Sequence, residues 1–453
     1  MHQTGLRNNM NEVKAMESSG KTLRETALHG FAGELCGKRL LILGGSLWKD
    51  SILAFCRSNG IVIIAAGNDS SAGICDIADE YYAVNSTDAN KMKELIQTKN
   101  IDGVYMGGNE PVIVAACQYI NELGLPCYCS IDQWNALQDK KRFKALCSQF
   151  GLPVVRELSP DAIKDEDFPL VTKPVDGCGS MGFSVCRNVA ELEKGWEAAS
   201  KASPTGRVIV EQYVRNEAVG VLYTLNEGKL VFSTLEDKYP VYFKKHGTYV
   251  GGFFDFESPF AGEFRSLFED KIQGMIRYLD IREGNFWMEV FHDNGRYFFN
   301  EAGFRIGGSG SLYPVDYFSG INQVAADIYY ALTGKSKIHG FPPIHGKETP
   351  RGKKYAVYPL FASSGTIKRI EGYDALLDRP NILRILSKKK PGDSVPDDGS
   401  FGQIVALVHF LYDDVEELRE TLHAIHTCAR LKNDQDQDMV LRLLDIERFG
   451  PQL

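Results

Sequence analysis

The run NFWMEVFHDNGRYFFNEAGFR, from Asn285 to Arg305, sets two acidic residues in apolar, strand-like sequence around Asp293-Asn294-Gly295. Aromatic and β-branched residues flanking such a turn describe a β-hairpin. Glu289 lies in the first strand and Glu301 in the second. Side chains alternate across a strand, so turn length decides whether the two acids share a face. A two-residue Asn294-Gly295 turn would pair Glu289 with Asn300 and turn Glu301 to the other side. A three-residue loop, with Gly295 left-handed, would pair Glu289 with Phe299 and make Glu301 its diagonal neighbour on the same face; this common loop is the expected one. The bland alternative is two unrelated acids on a solvated hairpin. Phe286, Trp287, Met288, Phe298 and Phe299 argue against it, because buried acids need partners. Two carboxylates on one face can hold Mg²⁺ or Mn²⁺, which take oxygen ligands together with substrate phosphates. Arg305, four residues past Glu301, would share that face on a continuing strand and could clamp a phosphate or a developing oxyanion.

Upstream, VTKPVDGCGSMGF (Val171–Phe183) ends an apolar strand in a lysine and a glycine-rich loop. The Lys173 ammonium can neutralise phosphate oxygens, and Gly177, Gly179 and Gly182 let backbone N–H groups approach an anion, with Ser180 adding a hydroxyl. No GK[ST] follows, so this is not a Walker A loop. A surface hairpin with an exposed Lys173 is the competing reading. The run VIVEQYVRNEAVG (208–220) places Glu211 on an apolar strand and Glu217 just beyond it. An adenine edge could bond to the backbone of Gln212 to Val214, with a carboxylate taking its amino group or the ribose hydroxyls.

The chain has 453 residues, 43% hydrophobic and 24% charged, enough for several domains with a sizeable core. A net charge of −8 argues against a nucleic-acid or anionic-membrane surface. Ten cysteines without a CxxC read as reduced thiols of a cytoplasmic protein, and no apolar run suggests a membrane span. Residues 1–37, polar and without an apolar h-region, read as a poorly ordered tail or a weakly docked helix and not as a secretory signal. From Lys38, RLLILGGS, IVIIAA, VYMGG and LPCYC read as strands alternating with helices, a doubly wound α/β unit over 38–130. Ligands of such sheets bind at the carboxyl ends of strands, where Gly44, Gly45, Ser46, Asn109 and Glu110 lie. GGS in place of GxGxxG gives little support to a nicotinamide site. From residue 131 the texture is α+β: a basic helix in DKKRFKALCSQF, then antiparallel strands. A Pro-, Gly- and Lys-rich segment (340–354) precedes a last body of strands and one helix over 350–453.

In order and spacing these motifs resemble the ATP-grasp superfamily, in particular its carboxylate–amine ligases and the related carbamoyl-phosphate synthase and biotin carboxylase folds. The resemblance runs from Lys38 to the end, and the C-terminal part is similar to that of bacterial L-amino-acid ligases. It implies a Rossmann-like leading domain, an ATP-grasp domain over 131–343 with a lid at about 168–216, and a C-terminal α+β domain. It implies ATP and Mg²⁺ (or Mn²⁺) as cofactors, with small-molecule carboxylate and amine substrates. It further implies that Lys140 and Lys173 meet the phosphates and that the loop around Gly177, Gly179 and Ser180 covers them. Glu211, Gln212 and Val214 would hold adenine, Glu217 the ribose, Glu289 and Glu301 the metal, and Arg305 would act at the reacting centre together with Lys173. The implied reaction is amide formation through an acylphosphate, on an amino acid or small carboxylate. The family pattern Glu-x-Asn-x-Arg departs here: Gly303 stands where the asparagine completes the second metal's shell. Asn300 is not expected to replace it, since its side chain alternates to the other face. Gly303 motivates a second reading, a nucleotide-binding regulatory module with weak catalysis. The region Lys238–Pro259 is expected to line the acceptor side, where Lys244, Lys245 and His246 could hold a carboxylate.

Overall fold

The computed structural model describes residues 32–449 apart from 71, 177–180, 215–217, 257, 294 and 347–348. The chain forms two compact units, one of residues up to 127 with 324–337, the other of 128–323 with residues from 338 onward. Among the described residues no helix is long and apolar enough to cross a membrane.

In the first unit, β1 (Arg39–Ile42), β2 (Val62–Ala66), β3 (Glu80–Tyr82) and β4 (Gly103–Tyr105) form a parallel sheet in the order β3-β2-β1-β4. The continuous apolar runs of β1, β2 and β4 suit strands buried on both faces. Gly45 has φ +99°, and an added Cβ would come within 2.8 Å of the Trp48 indole nitrogen; one on Gly107 would lie 2.6 Å from the Gly44 carbonyl carbon. The two glycine turns at the strand ends thus pack backbone against backbone. Asn109 caps the helix Glu110–Glu122 by accepting from the Val112 N–H. The expected strand at LPCYC is absent: Leu125 N–H bonds back to the Ile120 carbonyl, Pro126 has no N–H to donate, and the sheet ends at β4.

Residues 324–337 return to this first unit. Glu34 accepts from the Tyr329 hydroxyl at 2.9 Å and pairs with Lys335. An added Cβ on Gly103 would lie 2.7 Å from the Ala331 carbonyl carbon and overlap its oxygen.

In the second unit, β5 (Leu170–Pro174), β6 (Ser184–Cys186) and β7 (Val208–Gln212) make a small antiparallel sheet, β6-β5-β7. The larger, nine-stranded sheet contains β8 (Ala218–Asn226), β9 (Lys229–Phe243), β10 (Thr248–Phe256), β11 (Gly284–Asp293), β12 (Arg296–Gly303), β13 (Lys354–Ala362), β14 (Ile382–Ser387) and β15 (Ile404–Tyr412). Its order is β12-β11-β8-β9-β10-β13-β15-β14, with β16 (Val440–Leu441) also on β13. The segments expected as separate bodies over 131–343 and 350–453 therefore share one sheet, because β10 pairs with β13 (Phe254↔Val357). One face of the β11–β12 hairpin is covered by the helix Ala261–Tyr278, where Phe264 and Phe268 pack edge-on or tilted against Tyr297 and Phe299. The other face carries the site.

Gly103→Ala should lower stability by about 1–3 kcal/mol, the usual cost of overpacking a tight contact. A reduced urea midpoint checks this; an unchanged one would mean that residues 324–337 do not pack there.

Candidate functional site

The hairpin turn is the two-residue form, Asp293↔Arg296, and not the expected three-residue loop. By itself that turn would put Glu301 with Phe299 on the helix-covered face. A β-bulge intervenes: Val290 pairs with Phe299, the next pair is Glu289↔Glu301, and Asn300 is the extra residue. One inserted residue changes side-chain parity. The two carboxylates therefore stand directly opposite each other on the open face. Asn300 also points there, against expectation. It donates to Glu289 Oε1 at 2.8 Å and accepts from Lys173 Nζ at 2.7 Å.

Three lysines approach the same cleft. Lys140 opens the helix Lys140–Gln149, whose first N–H groups are capped by Asp139; its Nζ lies 3.9 Å from Glu301. Lys173, on β5, is buried and bonds Glu211 Oε2 at 2.8 Å. Glu211, on β7, is 2% exposed and also pairs with Lys144. Its side chain is thus committed to two ammonium groups. Burial pushes the Glu211 carboxyl up, but Lys173 and Lys144 outweigh it and hold the pKa below the ordinary value. Lys144 is lowered from 10.5 to about 8 by burial and by Lys173, against the pull of Glu211.

Lys238, on β9, is the third. Its Nζ lies 3.0 Å from Glu289 and 3.6 Å from Glu236. Burial disfavours its charge, yet Glu289 and Glu236 raise its pKa above the ordinary range. Burial likewise pushes up Glu289, but Lys238 and Asn300 reverse the sign and leave it lowered. Glu301 is raised by burial and by repulsion from Glu289. Glu236 is raised to about 7 by burial and by Glu289, against the attraction of Lys238. Among the described residues no group of three or more His, Cys, Asp or Glu is placed to hold a metal. The protein offers Glu289 and Glu301, a set that suits Mg²⁺ completed by substrate oxygens and water.

Lys140, Lys173, Glu211, Gln212, Val214, Glu289, Asn300 and Glu301 all line one cavity; Arg305 does not figure in its lining. The Gln212 and Tyr213 N–H groups bond the carbonyls of Arg156 and Pro169. Gly177, Gly179, Ser180 and Glu217 lie outside the described residues. Arg305 donates to the Ile306 carbonyl and sits 5.5 Å from the Trp287 ring. The cavity lining also includes Tyr249, Phe254 and Phe401. Lys245 and His246 both contact the Asp397 carboxylate, so both side chains are engaged within the protein. Sequence reasoning misses Lys144 and Glu236, considers Asn300 only to reject it, and names Lys238 only as the start of a region. Glu236 and Lys238 do leave a trace: an acid and a base two apart in the apolar run of β9 must face the same way.

Lys144→Met tests the buried ion cluster while leaving Glu211 paired with Lys173. A depressed lysine pKa means that the unfolded chain binds more protons between pH 8 and 10.5, so stability rises with pH across that window. This contribution should amount to about 3 kcal/mol and vanish in the variant. Urea unfolding of both proteins from pH 7.5 to 10.5 checks it.

Residues 137–279, a span holding Lys140, Lys173 and Glu211, match the family described as the ATP-grasp domain. The formate-dependent phosphoribosylglycinamide formyltransferases of Haloquadratum walsbyi and Bacillus subtilis are 25% and 26% identical over 197 and 199 residues, covering 41% and 42% of this chain and 49% and 51% of theirs. The chain thus spans about half the length of the curated relatives it matches. The L-amino acid ligase from Bacillus licheniformis has a TM-score of 0.70 at 19% identity, covering 88% of this chain and 99% of that one. The biotin carboxylase domain of Hydrogenobacter thermophilus 2-oxoglutarate carboxylase gives 0.68 at 17% identity, with 89% and 91% covered. With a parallel α/β leading sheet, a small sheet bearing Lys173 and a large antiparallel sheet bearing the paired carboxylates, the chain has the ATP-grasp fold of these structures, and its residues 137–279 match the ATP-grasp domain family.

Proposed function

We propose that the chain is an ATP-dependent carboxylate–amine ligase that forms an amide through an acylphosphate. The observation that carries this reading is the direct pairing of Glu289 with Glu301 beside Lys140, Lys173 and Lys238. A bound Mg²⁺ would be held by the two carboxylates and would supply charge neutralisation at the phosphates. Lys173 is fixed by Glu211 and Asn300, which take two of its three N–H donors and leave one for a phosphate oxygen. Lys140 adds a second ammonium beside Glu301. In-line phosphoryl transfer needs chiefly positioning and charge stabilisation, and these groups are held in place before any ligand arrives. A substrate carboxylate attacks the γ-phosphorus of ATP and ADP leaves; an amine then attacks the acylphosphate, forming the amide and releasing phosphate.

The aromatic lining bears on the acid. Tyr249, Phe254 and Phe401 offer aromatic surface, and Lys245 and His246 are both engaged by Asp397. These features favour an amino acid or small carboxylate with an apolar body. The names of the relatives are compatible: one is formate-dependent, another an L-amino acid ligase. The competing reading, a nucleotide-binding module with weak catalysis, rests on Gly303. Glu289 and Glu301 beside Lys140, Lys173 and Lys238 favour an enzyme.

ADP release with ATP, Mg²⁺ and pools of acids paired with amines should rise above the substrate-free rate for at least one pair, with a product mass equal to their condensation. No stimulation by any pair, with ATP bound, would favour the module. Lys173→Met and Glu301→Gln should each lower kcat by about 10²–10³, the usual effect of losing one electrostatic stabiliser.

A further inference from the structure

Across β11, β8 and β9 the register is Glu289↔Gly220↔Glu236. Directly paired residues share a face, so Glu301, Glu289 and Glu236 form one row, interrupted where Gly220 has no side chain. An added Cβ at Gly220 would lie 2.7 Å from Glu236 Cγ and closer to its Oε1, so the Glu236 side chain fills that gap. Lys238, two residues along, adds its ammonium between Glu236 and Glu289. Glu289 is then used at both oxygens, Oε1 by the Asn300 amide and Oε2 by Lys238. Glu301 is the more open carboxylate, its side chain 36% exposed.

On the other side of Glu289, Trp287 is paired with Gly303. An added Cβ at 303 would lie 2.5 Å from the indole Cζ2 and closer still to Cε2 and Nε1. The indole thus occupies the volume that a side chain at 303 would need. Its N–H is buried without a partner, and Lys238 Nζ and Arg305 Cζ each lie 5.5 Å from its ring.

We propose that Lys238 is a built-in cation of this centre and that Trp287 closes the space beside Gly303, so that the chain takes a nucleoside triphosphate with one divalent cation, shared by Glu301 and Glu289, rather than two. This rests on the nucleotide-binding reading above. A second divalent ion at Glu289 Oε2 would meet the ammonium at contact distance, and a ligand reaching in from position 303 would collide with the indole.

The test counts Mn²⁺ by paramagnetic resonance during titration of the protein with the β,γ-imido analogue of ATP. The wild-type complex should hold one Mn²⁺ per chain. Two would overturn the inference while leaving nucleotide binding intact; no binding of the analogue with Mn²⁺ would overturn both. Lys238→Met combined with Trp287→Ala should admit a second Mn²⁺, whereas Lys238→Arg, which keeps the charge and the indole, should remain at one. A folded double variant that still holds one, at unchanged affinity, would show that neither group excludes the second ion. The wild-type count needs no variant and stands even if the double variant fails to fold.

Discussion

The single residue inserted at Asn300 is the constraint on which the centre depends. Without that bulge, Glu301 would follow Phe299 under the helix Ala261–Tyr278, a carboxylate buried among aromatic rings without a partner. With it, the strand changes parity within one residue and two carboxylates meet on the open face. The inserted residue does not idle: its amide links Glu289 to Lys173 and so couples the large sheet to the small one. Bulges recur next to active sites because they re-aim a side chain without altering the rest of the sheet.

Charge compensation follows from that geometry. Lys140, Lys144, Lys173 and Lys238 face Glu211, Glu236, Glu289 and Glu301, and each of these acids has an ammonium within 4 Å. Bringing such charges out of water is costly unless each is paired. Glu211 takes up both Lys144 and Lys173, which lets two ammonium groups stand close together beside the cavity. Two acids at one place cannot both ionise freely, and Glu301 is the one whose pKa rises. A cation arriving there relieves a repulsion already present.

Much of this was legible in residues 285–305. Apolar strands, a glycine turn and two acids predict a hairpin with a charged centre, and the pattern of Lys140, Lys173 and Glu211 leads to the same cavity. The turn was misread, and the shared face arose for a different reason. A bulge is set by packing on both sides of a sheet, here Phe299 against Phe264 and Phe268, and no local periodicity announces it. Asn300 was set aside on the assumption of strict alternation. Glu211 reads as a residue of the adenine side, and its isolated position on an apolar strand gives no sign of Lys144, 67 residues away, with which it pairs. Gly303 reads in sequence as a lost ligand; only the cross-strand pair shows that an indole has taken its place.

The route of the backbone carries a practical consequence. Residues 324–337 leave the unit that bears the cavity and complete the one that begins the chain, through Ala331 against Gly103 and through Tyr329 and Lys335 on Glu34. The leading unit is therefore discontinuous, and cutting the polypeptide after Cys127 would strip it of an internal piece. Truncations meant to isolate either half must retain or rebuild that excursion, and a circular permutant joining it directly to the leading segment would be the natural way to obtain that unit alone.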